Sequence, residues 1–293
     1  MFKPGLLQGK RILVTGGGTG LGREIAEQYL ALGASIVICG RRKEVLERSA
    51  GELIAKHGGD VATRTVDIRD AAGVDAMVQS LWDDAGPLDG LVNNAAGNFI
   101  SRTEDLSPRG FDAIANIVLH GTFYVTQAVG KRWIADGRKG NVVSILVTWI
   151  WTGSPYVVPS AMSKAGLAVM TESLAVEWGK FGIRLNAIAP GPLPTEGMST
   201  RLSPGQTAEQ RSAAKNPMGR IGRMEELRNL ATFLMADGCE WLTGQTIALD
   251  GAAHLAGVGT FYDLRDWGDP EWQRAREMIK STNAKDKAER PSG

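Results

Sequence analysis

The sequence predicts an α/β fold: a Rossmann-type, doubly wound parallel sheet of about seven strands with helices on both faces. Three observations predict it. Short apolar runs alternate with longer amphipathic ones along most of the chain. A glycine-rich turn closes the first apolar run and opens the first amphipathic one. No polar linker interrupts the alternation, so the runs belong to one sheet.

The elements follow in order. RILVT (11–15) is a strand and Leu21 to Leu32 a helix; SIVICG (35–40) leads to a helix over Lys43 to Lys56, and VATRTVD (61–67) to one over Ala72 to Asp83. LDGLVNN (88–94) precedes a longer helix. There Ser107 can cap the first turn and Pro108 can occupy it, where a missing N–H costs nothing; the pattern continues to about Ala135. NVVSILV (141–147) is followed by a helix from Ser160 to Gly179, whose Ala161, Ala165, Ala168, Val169, Ala175 and Val176 permit close packing, within one chain or between copies. IRLNAIAP (183–190), a helix over Glu225 to Met235 and QTIALDG (245–251) complete the pattern. Residues 190–223 break the rhythm, rich in Gly, Pro, Ser and Thr and long for a connection, and read as a movable substrate loop. The expected organisation is one domain over 1–255 containing that loop, then a partly disordered extension over 256–293. In that extension Trp267 and Trp272 stand among charges and the end, STNAKDKAERPSG, has a disordered composition.

At 293 residues and 43% hydrophobic the chain can bury a sizeable core. A net charge of +1 gives no support to a nucleic-acid partner or a strongly anionic membrane. Cys39 and Cys239 lack metal-ligand or disulfide spacing and read as reduced packing residues, so no metal site is expected. The start of the chain does not resemble a secretory signal, and no apolar run reaches the roughly 18 residues of a membrane span. The expectation is a cytoplasmic protein without membrane insertion.

In VTGGGTGLGREIAEQYL, Gly16, Gly20 and Gly22 are spaced G-x-x-x-G-x-G between a strand and a helix. Glycine lets the backbone turn tightly and brings N–H groups close to a pyrophosphate, whose charge the helix N-terminus favours. Thr15 and Thr19 can pin the turn, and no G-K-[ST] follows as a P-loop would require. At the end of the second strand, where an acidic side chain would suit NAD, stand Arg41 and Arg42. Their guanidinium forks match a phosphate, so NADP (as NADPH) is the expected cofactor. Asp67 either accepts a hydrogen bond from adenine or caps the next turn.

TGGGTGLG at 15–22, NNAAG at 93–97 and PG at 190–191 resemble the short-chain dehydrogenase/reductase family over roughly Leu7 to Gly251. The resemblance implies dinucleotide contacts from Thr15, Gly16, Gly18, Thr19, Gly20, Leu21, Gly22, Arg41, Arg42, Asp67, Ile68, Asn94, Ala95, Ala96, Lys164, Pro190 and Gly191. The family's usual serine falls near Val147, and the place of its Tyr-x-x-x-Lys tyrosine is Ser160, so of that set only Lys164 remains. NNAAGNF, VVPSAMSKAG, LAVEWGKFGIRLNAIAPGP and TEG are similar to the 2,4-dienoyl-CoA reductases. That narrower resemblance implies NADPH-dependent reduction of a conjugated dienoyl thioester to a 3-enoyl-CoA by a homotetramer, with Asn98, Ser160 and Lys164 in the site. The position of the mitochondrial type's proton-donating tyrosine is Trp149.

An indole N–H has no useful acid proton near neutrality. The proton then comes from Tyr156, should its loop fold back, or from water steered by Lys164. Asn98 is placed to stabilise charge on the thioester oxygen. Ser160 either bonds to cofactor or substrate or is an ordinary N-cap. Thr148, Trp151 and Thr152, with Met198 and Leu202 of the loop, are candidates to line an acyl pocket. Two other readings stay open: a reductase of another carbonyl or enone, and a nucleotide-binding homologue without catalysis.

Overall fold

A computed structural model describes residues 1–194, 213, 216–256 and 261–289. These group into two compact units, Met1–His254 and Leu255–Gly293. Most of the expected substrate loop, with Met198 and Leu202, lies outside the described residues.

The first unit contains a seven-stranded parallel sheet in the order β3-β2-β1-β4-β5-β6-β7. Its strands are β1 (Arg11–Thr15), β2 (Ser35–Gly40), β3 (Val61–Thr65), β4 (Gly90–Asn93), β5 (Gly140–Ile145), β6 (Ile183–Pro190) and β7 (Thr246–Leu249). Helices between them are α1 (Gly20–Ala31), α2 (Lys43–His57), α3 (Ala71–Ala85), α4 (Pro108–Ala115), α5 (Thr122–Ala135), α6 (Trp149–Thr152), α7 (Val158–Trp178) and α8 (Met224–Met235). A short helix α9 (Ala253–Ala256) follows β7. The strand order reverses between β1 and β4, which is where this class of sheet opens a crevice at its carboxyl edge.

Each central strand is buried on both faces, which is why it reads as an unbroken apolar run. Ile12 and Val14 pack with α1, α2 and α8, while Leu13 between them packs with α3, α5 and α7. Trp133 of α5 is fully buried, with its indole N–H donating to Leu88 O at 2.6 Å. The ring lies flat on Gly140, where a Cβ would come within 2.3 Å of it.

Several boundaries differ from the sequence expectation. β3 stops at Thr65, two residues early, because Asp67 turns back to accept from the Arg69 N–H at 3.1 Å. The long helix starts as expected, with Ser107 Oγ accepting from Gly110 N–H at 3.1 Å and Pro108 in the first turn. It does not run evenly to Ala135: residues Asn116–Gly121 form a π-helical segment between α4 and α5. Gly121 lets this segment close on Ile68, since a Cβ there would lie 2.6 Å from that side chain. Ser160 is not an N-cap; Val157 is, and Ser160 sits inside the first turn of α7. In the second unit a helix, α10 (Asp269–Glu289), extends through part of the segment expected to be disordered, and Trp267 and Trp272 pack edge to face at 5.1 Å between ring centres. No helix among the described residues is long and apolar enough to cross a membrane.

Candidate active site

The glycine turn joins the end of β1 to α1, with Gly16 at φ +64° and Gly20 at φ +55°. Thr15 is the clasp. Its Oγ1 accepts from the N–H groups of Asn94 and Ala95, both at 3.0 Å, while the hydroxyl donates to Val92 O at 3.3 Å. Asn94 Nδ2 donates to Thr15 O at 3.0 Å and to Gly16 O at 3.4 Å. The turn is thereby tied to the end of β4. Thr19, the N-cap of α1, makes no side-chain capping bond, so the first N–H groups of the helix are left for another acceptor. A Cβ on Gly22 would meet Asn94 Nδ2 at 2.3 Å and Gly16 O at 2.8 Å. The cradle exists because that atom is missing, and it fits the pyrophosphate of a dinucleotide.

One residue beyond β2, Arg41 and Arg42 are exposed, and their guanidinium groups make no hydrogen bond or ion pair among the described residues. Asp67 does not end a strand. Its carboxylate takes the Arg69 guanidinium, with Nε 2.9 Å from Oδ1, and that hydrogen bonding holds it below the usual carboxylate range; the charge of Arg41 adds a smaller effect. Asp67 Oδ1 also accepts from the Arg69 N–H within its own turn.

Lys164 lies on α7 and is 6% exposed, its Nζ donating to Ile145 O at the end of β5. It forms no salt bridge with a carboxylate among the described residues, and burial pulls its pKa down to about 8. Ser160, one turn earlier on the same face, is 5% exposed, and its hydroxyl makes no hydrogen bond among the described residues. Two loops converge here through Ser101 N–H donating to Tyr156 O at 2.9 Å. Asn98 stands on the first loop, with Oδ1 accepting from Phe99 N–H at 2.9 Å and its NH₂ group without a partner among the described residues. Tyr156 stands on the second at φ +65°, its side chain 58% exposed. Trp149 opens α6, which packs on α7. Pro190 ends β6, and Gly191 N–H bonds to Leu249 O at 3.0 Å.

Two constellations escaped the sequence. On the π segment, His120 Nδ1 lies 2.9 Å from Asn116 Oδ1. After β7, Asp250 Oδ2 lies 2.8 Å from His254 Nδ1, and the imidazole stacks on Trp151 at 4.8 Å. Asp250 and His254 are four residues apart, but no local pattern could have shown the stacking on Trp151, which lies far away in the chain.

A family model described as enoyl-(acyl carrier protein) reductase matches residues 16–254. A solved short chain dehydrogenase from Bacillus anthracis is 40% identical, with a TM-score of 0.77 over 85% of this chain and 98% of that one. This chain belongs to the short-chain dehydrogenase/reductase family. It is similar to an uncharacterized oxidoreductase of Caenorhabditis elegans, 44% identical over 97% of this chain and 92% of that protein. A second C. elegans protein, named probable 2,4-dienoyl-CoA reductase, is 41% identical over 98% of this chain and 95% of its own. This short-chain dehydrogenase/reductase is an NADP(H)-dependent oxidoreductase of carbonyl or enone substrates. The expectation of a cytoplasmic location is overturned. Relatives from Arabidopsis thaliana and Mus musculus, 36% and 32% identical, are named peroxisomal 2,4-dienoyl-CoA reductases. Composition could not have revealed this, since an organelle address is read by a receptor and leaves the fold's chemistry unchanged.

Proposed function

We propose that the enzyme reduces a conjugated 2,4-dienoyl-CoA thioester to a 3-enoyl-CoA. The observation that carries this reading is Ser160, a buried residue whose hydroxyl has no hydrogen-bond partner among the described residues, four residues before Lys164, where a carbonyl reductase of this family would hold a phenol. A substrate reduced at carbon, with its negative charge spread onto a thioester oxygen, does not need that phenol. The dienoyl-CoA reductases among the relatives support the same substrate class.

In this reading the Gly16–Gly22 cradle takes the pyrophosphate, and Arg41 with Arg42 takes the 2′-phosphate. When bound, NADPH supplies the hydride. Lys164 binds the nicotinamide-ribose hydroxyls and adds positive potential at the carboxyl edge of β5. The free NH₂ of Asn98 donates to the thioester oxygen as charge develops on it. Trp149 shapes the acyl pocket and supplies no proton.

NADPH oxidation assayed against hexadienoyl-CoA and a panel of ketones and enones tests the substrate class. Asn98→Ala should lower kcat on hexadienoyl-CoA by about 100-fold, the scale of a lost oxyanion donor, with NADPH affinity nearly unchanged. Unaltered turnover in that variant would remove Asn98 from the mechanism.

Met162, Val169 and Val176 form an exposed apolar stripe on α7, 56%, 61% and 86% exposed at seven-residue spacing. This supports assembly with further copies of the chain, a homotetramer being expected. Sedimentation of the native protein at a monomer's mass would rule that out.

A further inference from the structure

We infer that His254 delivers the proton that completes the reduction, and that Asp250 is its positioning residue. The inference rests on the reading of a conjugated substrate, which defines the carbon that receives the proton.

Asp250 directly follows β7 and packs on the chain leaving β6, where a Cβ at Gly191 would lie 2.7 Å from Asp250 Cβ. Its carboxylate is fully used in holding the next turn: Oδ1 accepts from Ala252 N–H at 3.0 Å, and Oδ2 accepts from His254 N–H at 2.8 Å. Oδ2 also lies 2.8 Å from His254 Nδ1. A carboxylate only accepts, so Nδ1 bears a hydrogen and Nε2 is the nitrogen left to act. Nε2 has no partner among the described residues. One face of the ring is covered by Trp151, with rings 30° from parallel.

The topology places this ring over the site. Trp151 belongs to α6, after β5, and Asp250 follows β7; β6 lies between those strands. A side chain anchored beyond β7 reaches a ring beyond β5 only by crossing the carboxyl end of β6. Lys164 bonds to Ile145 O at the end of β5, on that same edge. Backbone strain concentrates there too: Tyr156 and Ala252, the two non-glycine residues at positive φ among the described residues, flank it at φ 65° each. The other two histidines are committed elsewhere, His57 to Glu27 and His120 to Asn116.

The step balances. Once the δ-carbon has gained the hydride, the electron pair lies over the thioester dienolate. A C–H bond forms at the α-carbon as the Nε2–H bond of the imidazolium breaks. The neutral imidazole keeps its Nδ1 hydrogen on Asp250 and is recharged from solvent. One hydride and one proton enter each 3-enoyl product.

The test uses the full chain and whichever substrate the native enzyme turns over, hexadienoyl-CoA or a simple enone. His254→Gln and His254→Ala should each lose about 100-fold or more in kcat, within the range of general acid catalysis, with NADPH affinity within twofold of native. Added imidazole should restore at least tenfold in His254→Ala and leave the native enzyme unchanged, a response that a packing role would not produce. In the native chain, NADP⁺ with hexadienoyl-CoA or the enone should shield His254 from carbethoxylation, read by mass spectrometry without reference to turnover. A kcat within threefold of native, a loss that imidazole leaves untouched, or an unshielded His254 overturns the assignment. Turnover of the enone with none of hexadienoyl-CoA removes the dienoyl-CoA reading while the His254 comparison proceeds on the enone.

Discussion

Lys164→Met is expected to abolish turnover while leaving the folded chain at least as stable at pH 7. The ammonium is almost fully buried and has no carboxylate partner among the described residues, so its charge is held at a cost. A pKa brought from 10.5 to about 8 corresponds to about 3 kcal/mol favouring the neutral form. Methionine removes that cost but leaves Ile145 O without its donor, a loss of about 1–3 kcal/mol. The two nearly cancel, with the balance toward the variant. Catalysis has no such compensation: a fixed charge aimed into a dry site is worth about 100-fold or more. Thermal melts of both proteins with steady-state assays check the pair of outcomes, and native-like kcat in the variant would rule out the role.

The same group sets opposite pH trends for activity and stability. Turnover should fall as pH rises through about 8, where the ammonium is lost. In the unfolded chain the lysine titrates near 10.5, so between these values the unfolded state holds the extra proton. Folding stability contributed by Lys164 therefore climbs from about pH 8 to 10.5, and Lys164→Met should flatten that slope.

Gly22→Ala is expected to weaken NADPH binding by about tenfold to a hundredfold, or roughly 1.4–2.8 kcal/mol. The added methyl would sit 2.3 Å from Asn94 Nδ2 and 2.8 Å from Gly16 O. Asn94 cannot swing away freely, because it ties Thr15 and Gly16 to the end of β4. Alanine favours a helix over glycine by about 1 kcal/mol, so α1 itself should persist. The deficit belongs in fluorescence titration with NADPH and in a smaller gain of Tm on adding it. An unchanged Kd would show that the cradle does not touch the dinucleotide.

What the sequence made legible follows from locality. β1, β2 and β6 match their expected limits residue for residue, since strands buried on both faces are continuous apolar runs bounded by glycine, proline or charge. The glycine turn, the Arg41–Arg42 pair and the lysine four residues after Ser160 are likewise short-range patterns. Asp67 was misplaced because a salt bridge to Arg69 ended β3 early, which apolar periodicity does not register. The segment after Lys280 had a disordered composition, yet lysines and alanines are good helix formers and α10 continues through it to Glu289. Asp250 and His254 were hidden for a different reason. Their partners, Gly191 and Trp151, are neighbours only once β5, β6 and β7 lie side by side.

The π segment has a consequence for the helix that follows it. Each residue of an α-helix advances the side-chain direction by 100°, and a π turn inserts one more residue than a regular turn. Val125, Val129 and Trp133 all face the sheet in the phase set by that surplus residue. Winding residues 116–121 as regular α-helix with no residue removed would turn all three about 100° away from the sheet, whereas deleting one position there would mend the hydrogen-bond ladder and keep them facing it. The irregular turn is thus a phase adjuster, letting one continuous rod present Asn116 at one end and a core-facing tryptophan at the other.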